Sequence, residues 1–347
     1  MLLDYVINPV ICTIWCAKAA GNFAPQIPER LWDVIFAGLF TFLNLRRVRT
    51  TARANAVMAG VMMLVVGWVF VAITRWLLAQ PHLDAGLFTR PFYDPATFTW
   101  NRLGAGTALA VLTYIGFDGI STLSEEVQNP RRNIPLAMVL ICLVVGLLST
   151  AEVYAAQLIW PSAEAFPDND TAYVYVAARA GGALLFQVVN MTLLVANMGS
   201  GAGGQLAGAR LLFGMGRDNV LPKGVFGVID PVTHVPANNV ILIGLLCVVG
   251  AFSITYEFGA ELLNFGAFIG FMGVNCAAFR LAWRTGLRTI GALVPPVLGF
   301  LICLGIWLNL SPNSKWVGAV WLALGVAYGW WKTDGFKRAI RFEEAAD

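Results

Sequence analysis

The chain has 347 residues, of which 58% are hydrophobic and only 12% charged, against roughly 45–50% and about 25% in soluble globular domains. That imbalance argues against a soluble enzyme or a nucleic-acid-binding domain and for an all-α polytopic membrane protein. The formal net charge of +3 identifies no partner, because in such a chain the placement of charge matters more than its sum.

A helix needs about 20 apolar residues to cross the hydrocarbon core. In chain order ten segments reach or approach that length: 1–19, 31–45, 54–78, 103–123, 134–159, 180–210, 237–256, 258–279, 289–310 and 315–331. Segment one has Asp4 at its start and no charged leader with a cleavage site, so no cleaved signal is expected. Segment two is short and carries Asp33. The stretch "RPFYDPATFTW" (90–100), between segments three and four, is the longest outer loop and reads as interfacial.

Segment four is greasy until Asp118, which stands between Gly116 and Gly119. A charge at the bilayer centre costs about 2.5–3.5 kcal/mol, and each glycine weakens a helix by about 1 kcal/mol relative to alanine. Two readings follow. Either the helix is interrupted near 115–119 so that Asp118 or its backbone meets a solute, or it ends early and Asp118 caps it at the interface. Downstream, "SEEVQNPRRNIP" reads as a loop in which Pro130 and Pro135 limit helix and Glu125 and Glu126 can pair with Arg131 and Arg132. Exposed pairs of that kind contribute about 0–1 kcal/mol.

Glu152 in segment five is a second embedded acid, read with Asp4 as facing the bundle. Segment six, long enough with its flanks for two helices, contains "NMGSGAGGQLAGAR" (197–210). Its small residues suit close helix packing, and a polar path past Ser200 and Gln205 is the functional alternative. Segment eight carries "ELLNFGAFIGF", with Asn264 and Gly266 in apolar surroundings. The six cysteines lie in apolar runs, and the histidines, His82 and His234, lie in polar connections. No metal site is expected from such placement.

Cations set the topology. With 46–53 placed inside, alternation gathers Arg46, Arg47, Arg49, Arg53, Arg131, Arg132, Arg210, Arg217, Lys223, Arg280, Arg284, Arg288, Lys332, Lys337, Arg338 and Arg341 on one side. These are sixteen of the 23 basic residues, the bias expected of a cytoplasmic face. Splitting segment six would send the later ones outside, so segment six is expected to be one long helix and the C-terminus cytoplasmic.

Taken together, "GFDGISTLSEEVQNPRRNIP", "GARLLFGMGRDNVLPKGVFG" and "LLNFGAF" resemble the amino acid–polyamine–organocation (APC) permeases, and with "LLDYVINP" they are most similar to the bacterial putrescine importer-like members. The resemblance implies a LeuT-type inverted-repeat transporter fold in a single transmembrane domain over 1–347. It makes segment one the family's third helix and segment four the broken sixth, so the first two family helices are expected to be missing. By position it implies substrate contacts at Tyr114, Ile115, Gly116, Phe117 and Asp118, with Tyr5 and Ser200 facing the same site. It also implies a small amine or amino acid as partner, the lipid bilayer as surroundings, a place in the plasma or inner membrane, no cofactor, and H+ or Na+ as the coupling ion. The expected function is therefore ion-gradient-coupled secondary transport. A truncated, non-transporting membrane scaffold is the alternative that the missing helices suggest. An intramembrane enzyme is disfavoured, since no nucleophile–base pair is visible.

Overall fold

The long apolar runs become helices because a helix satisfies every backbone donor and acceptor within one segment, as a bilayer demands. The computed structural model describes residues 2–46, 52–81, 86–117, 119–120, 127–160, 164–335 and 337. Among them the chain is all-α. In order run α1 (Leu2–Phe23), α2 (Glu29–Leu45), α3 (Ala52–Leu78), α4 (Trp100–Ala110) with a 3-10 turn (Val111–Tyr114), α5 (Pro130–Ile159), α6 (Ala172–Arg217), the short α7 (Lys223–Phe226), α8 (Ala237–Ser253), α9 (Tyr256–Arg284), α10 (Ile290–Leu308) and α11 (Pro312–Lys332).

Each of the ten expected segments corresponds to a helix, but six among the described residues are long and apolar enough to span by themselves: α1, residues 55–78 of α3, α5, α6, α9 and α10. Helix α8 is apolar but only 17 residues long. Helix α2 also has 17 residues and includes Glu29, Arg30 and Asp33. Helix α4 stops after 11 residues, and α11 opens on Asn313, Ser314 and Lys315.

Two local expectations change. Pro130 does not limit helix but begins it: it is the first residue of α5, where its missing N–H has no partner to lose, and the helix continues through Pro135. Segment six is one helix of 46 residues, yet Gly182 inside it has φ 72° and ψ −166°. That conformation is open to glycine and strained for other residues, so the first ten residues of α6 are set off from the rest by a kink.

The chain divides into two compact units, Met1–Thr50 with Leu193–Asp347, and Thr51–Thr192. In the first, α1 packs on α2, α8 and α9, and α9 packs on α10 and α11. Helix α1 also lies directly on α6. A Cβ added at Gly201 would meet the Phe40 ring and Cys12 Cβ, one at Gly204 the Asn8 carboxamide, and one at Gly208 the Tyr5 carbonyl oxygen at 3.3 Å. The glycine-rich run of segment six is thus a packing surface in which backbone replaces side chain.

Gln205, fully buried, closes this unit on its polar side. Its amide donates to Thr41 Oγ1 (2.9 Å) and to the Val240 carbonyl (3.0 Å), and its Oε1 accepts from Asn44 Nδ2 (2.9 Å). Asn44 Nδ2 also donates to the Ala202 carbonyl at 2.9 Å. Gln205 therefore ties α6 to α2 and α8, and it does not open a polar path. Around it lie two apolar clusters, one centred on Val10, Ile14, Val240 and Ile243, the other on Cys12, Cys16, Phe36 and Phe40.

In the second unit α3 packs on α5, and α5 packs on the 3-10 turn after α4. Helix α5 turns Leu140, Val144 and Leu147 outward, an apolar face suited to lipid. The loop before α4 carries exposed Phe92, α4 opens on exposed Trp100, and the ring pairs Phe92–Tyr154 and Phe98–Trp100 join them to their surroundings, the composition of an interfacial belt.

Candidate functional site

The backbone of segment four loses its α-helical ladder in steps. Helix α4 starts on Thr99, whose side chain accepts from the Arg102 N–H, and ends at Ala110. The 3-10 turn carries the chain to Tyr114, Ile115 is extended at φ −61° and ψ 128°, and Gly116 takes φ 107°. A side chain at Gly116 would be strained by that φ even though a Cβ there meets open space. The interruption begins about four residues before the glycine pair, because the 3-10 turn tightens the last turn of helix ahead of the break. A second turn is closed by the Gly119 N–H donating to the Gly116 carbonyl at 3.0 Å.

Four of the expected site residues share this break. Tyr114 lays its ring on α5, where a Cβ at Gly146 would collide with the phenol oxygen. Ile115 and Phe117 are half-buried and Gly116 is exposed. Asp118 lies outside the described residues, as do Glu125 and Glu126, so their expected pairs with Arg131 and Arg132 do too. The break leaves helical carbonyl and amide groups without their usual i−4 partners. In a membrane such groups suit contact with an ammonium or carboxylate of a small solute.

Tyr5 and Ser200 lie on facing helices of the other unit. Tyr5 packs beside Gly208, whereas the exposed Ser200 hydrogen-bonds to Cys12. Seven residues of α1 separate Tyr5 from Cys12, about 10 Å along a helix, so these two residues do not meet. The other embedded polar groups have structural settings. Asn264 is fully buried, and a Cβ at Gly266 would sit 3.7 Å from the Asp4 backbone nitrogen. Glu152 Oε1 accepts from Tyr173 Oη at 3.5 Å.

Sequence reasoning missed two arrangements. Glu261 of α9 accepts from Ser311 and Ser314 Oγ at the start of α11, the second at 2.6 Å. In the loop before α6, Trp160 is stacked on Phe166 with centroids 4.4 Å apart, and the Arg179 guanidinium lies 3.7 Å from the Trp160 ring centre. Arg179 also pairs with Glu164 and donates to the Ile159 carbonyl at 3.2 Å. This guanidinium, through its hydrogen bond first, holds the Glu164 carboxyl below its ordinary value. The acidic residues between segments five and six are visible in sequence, but the pairing of Glu164 with a cation about two turns into α6 is not. Among the described residues no group of three or more His, Cys, Asp or Glu side chains is placed to hold a metal ion.

Comparison with known proteins agrees with the helical architecture. Residues 2–337 match the family model described as amino acid permease. The chain is 30% identical to the low-affinity putrescine importer PlaP of Escherichia coli, over 99% of this chain and 77% of that protein. It is also 30% identical to the branched-chain amino acid permease BcaP of Lactococcus lactis, over 66% of this chain and 50% of that protein. With the vacuolar cationic amino acid transporter 4 of Arabidopsis thaliana it shares 30% identity, over 64% of this chain and 35% of that one.

Proposed function

We propose, from the premise that this chain belongs to the amino acid permease family, that it is a secondary transporter of a small amine or amino acid, coupled to an ion gradient. It is not an enzyme. The observation that carries the reading is the interruption of segment four: helix to Ala110, a 3-10 turn, then Gly116 at φ 107°. A membrane-depth segment gives up helical hydrogen bonds only where protein, water or a ligand takes their place.

A putrescine-like amine is the favoured substrate. Two of the relatives are named for putrescine or cationic amino acids, and Asp118 supplies the negative charge that an ammonium group requires. Phe117 adds an aromatic face, for which a cation–π contact is worth about 0.5–2 kcal/mol. Tyr114, Ile115 and Gly116 line the same break; Tyr5 and Ser200, which the family resemblance assigns to the substrate site, lie on α1 and α6 of the other unit. In this reading the two units form one permease domain in the cell membrane, with the C-terminus in the cytoplasm.

The test is uptake of radiolabelled putrescine and arginine into proteoliposomes that hold the purified chain. Asp118→Asn is expected to abolish uptake of both while the protein still reconstitutes. Uptake by the variant at the wild-type rate removes Asp118 from the site. Absence of flux in the wild type, for these and for neutral amino acids, leaves the membrane scaffold instead.

A further inference from the structure

Helix α2 presents Asp33, Phe36, Ala37, Phe40 and Asn44 as its buried stripe. Four of these have an evident role: Phe36, Ala37 and Phe40 fill the apolar clusters, and Asn44 binds Gln205 and the Ala202 carbonyl. Asp33 is different. It is 4% exposed, and its Oδ1 has no hydrogen-bond partner among the described residues. A buried carboxylate is ordinarily held by a cation or by several N–H donors. Oδ1 of Asp33 has no such partner among the described residues, and the cation that acts on the carboxyl is Arg30, three residues earlier on the same helix.

Its place in the fold sets that acid close to the exposed end of α2. Asp33 lies one turn inside the end of α2, and Glu29, four residues earlier on the same face, is exposed beside Arg30. The Arg30 guanidinium lies 5.7 Å from the centre of the Phe252 ring at the end of α8. The charged groups at this mouth are therefore Glu29 and Arg30 from α2. The packed neighbours bring Cys12, Cys16 and Lys18 on α1 and Cys247 on α8; Tyr256, at the start of α9 and followed by Glu257, packs on the cluster that holds Phe36. From α6 come Arg210 and Arg217, which follow Gln205 toward the opposite end of the unit. The nearest acid to exchange a proton with Asp33 along its own helix is Glu29.

We infer that Asp33 is a proton-binding site, loaded from solvent past Glu29, and that its protonation is the ion-coupling step of transport. The step is a simple acid–base one: the Asp33 carboxylate takes a proton from hydronium or from the Glu29 carboxyl, and returns it to water when the packing around α2 opens. The coupling half of the inference rests on the transport reading given above; the proton site itself does not.

Two measurements separate them. The first is a pH titration of the purified wild-type chain by infrared difference spectroscopy, read at the carbonyl stretch of neutral carboxylic acids. A titrating band that disappears in Asp33→Asn is expected, and one that shifts in Asp33→Glu if the asparagine variant does not fold. A spectrum unchanged by both substitutions overturns the site. The second is putrescine uptake in proteoliposomes, driven by a pH gradient or run as counterflow exchange. Asp33→Asn is expected to lower gradient-driven accumulation roughly tenfold or more, the size of an ordinary coupling free energy, and to leave exchange within about twofold of wild type. Gradient-driven accumulation at the wild-type level in the variant overturns the coupling role. A titrating Asp33 band in a protein with no flux at all overturns the transport reading and leaves the proton site standing.

Discussion

Gly201 and Gly199 are two residues apart in the same helix, yet their surroundings differ completely. A methyl at Gly201 meets the Phe40 ring and lies 2.9 Å from Cys12 Cβ, whereas one at Gly199 meets nothing within 4 Å. Gly201→Ala is therefore expected to destabilise by about 1–3 kcal/mol through overpacking. Gly199→Ala should be neutral or stabilising by up to about 1 kcal/mol. Thermal unfolding of both variants in detergent checks the contrast, and equal midpoints would contradict the α1–α6 packing. The sequence showed the small residues but not which of them face a neighbour, because glycine carries no amphipathic signal. Gln205 illustrates the same limit from the polar side. A lone amide in an apolar helix reads equally as a pathway or as a bond, and only Thr41, Asn44 and Val240, far away in the chain, decide for the bond.

Helices were the most legible level of organisation. Apolar length alone located the ten segments, since backbone in a bilayer has few other options. The weakness of segment four was legible through Gly116 and Gly119, but the choice between a broken helix and one that ends early was not, because an acid beside two glycines suits either arrangement. Less legible was the segment from Trp160 to Arg179, where loop and helix are joined by charge and ring contacts with no periodicity. Its pH response follows from the sign of one shift. Glu164 is held below its ordinary value of 4.5 by Arg179. The pairing thus adds stability above that value and is lost as pH falls through the depressed one. Hydrogen exchange is expected to show this segment protected at neutral pH and opening below about pH 4.5. In Glu164→Gln the protection should no longer depend on pH across that range. Acid-independent protection in the wild type would refute the role of the pair.

For the whole molecule, charge asymmetry is the strongest statement the sequence makes about orientation. The expected alternation of spans puts Lys332, Lys337, Arg338 and Arg341 on the side that gathers most of the arginines. A protease-cleavable tag after Asp347 is expected to survive external protease in intact cells and to be removed in inside-out vesicles; cleavage in intact cells would reverse the topology. What sequence could not supply was the way the spans nest, because a membrane-buried face and a lipid-facing one are equally apolar. Asp33 shows the cost of that blindness: it marked α2 as a doubtful span, yet the fold encloses it. The seam along Gly201, Gly204 and Gly208 carries a mechanical corollary. Two rods pressed together with so little cushioning between them cannot be prised apart by a solute of a few heavy atoms. They form a keel, and along that seam the two timbers are expected to travel as one piece.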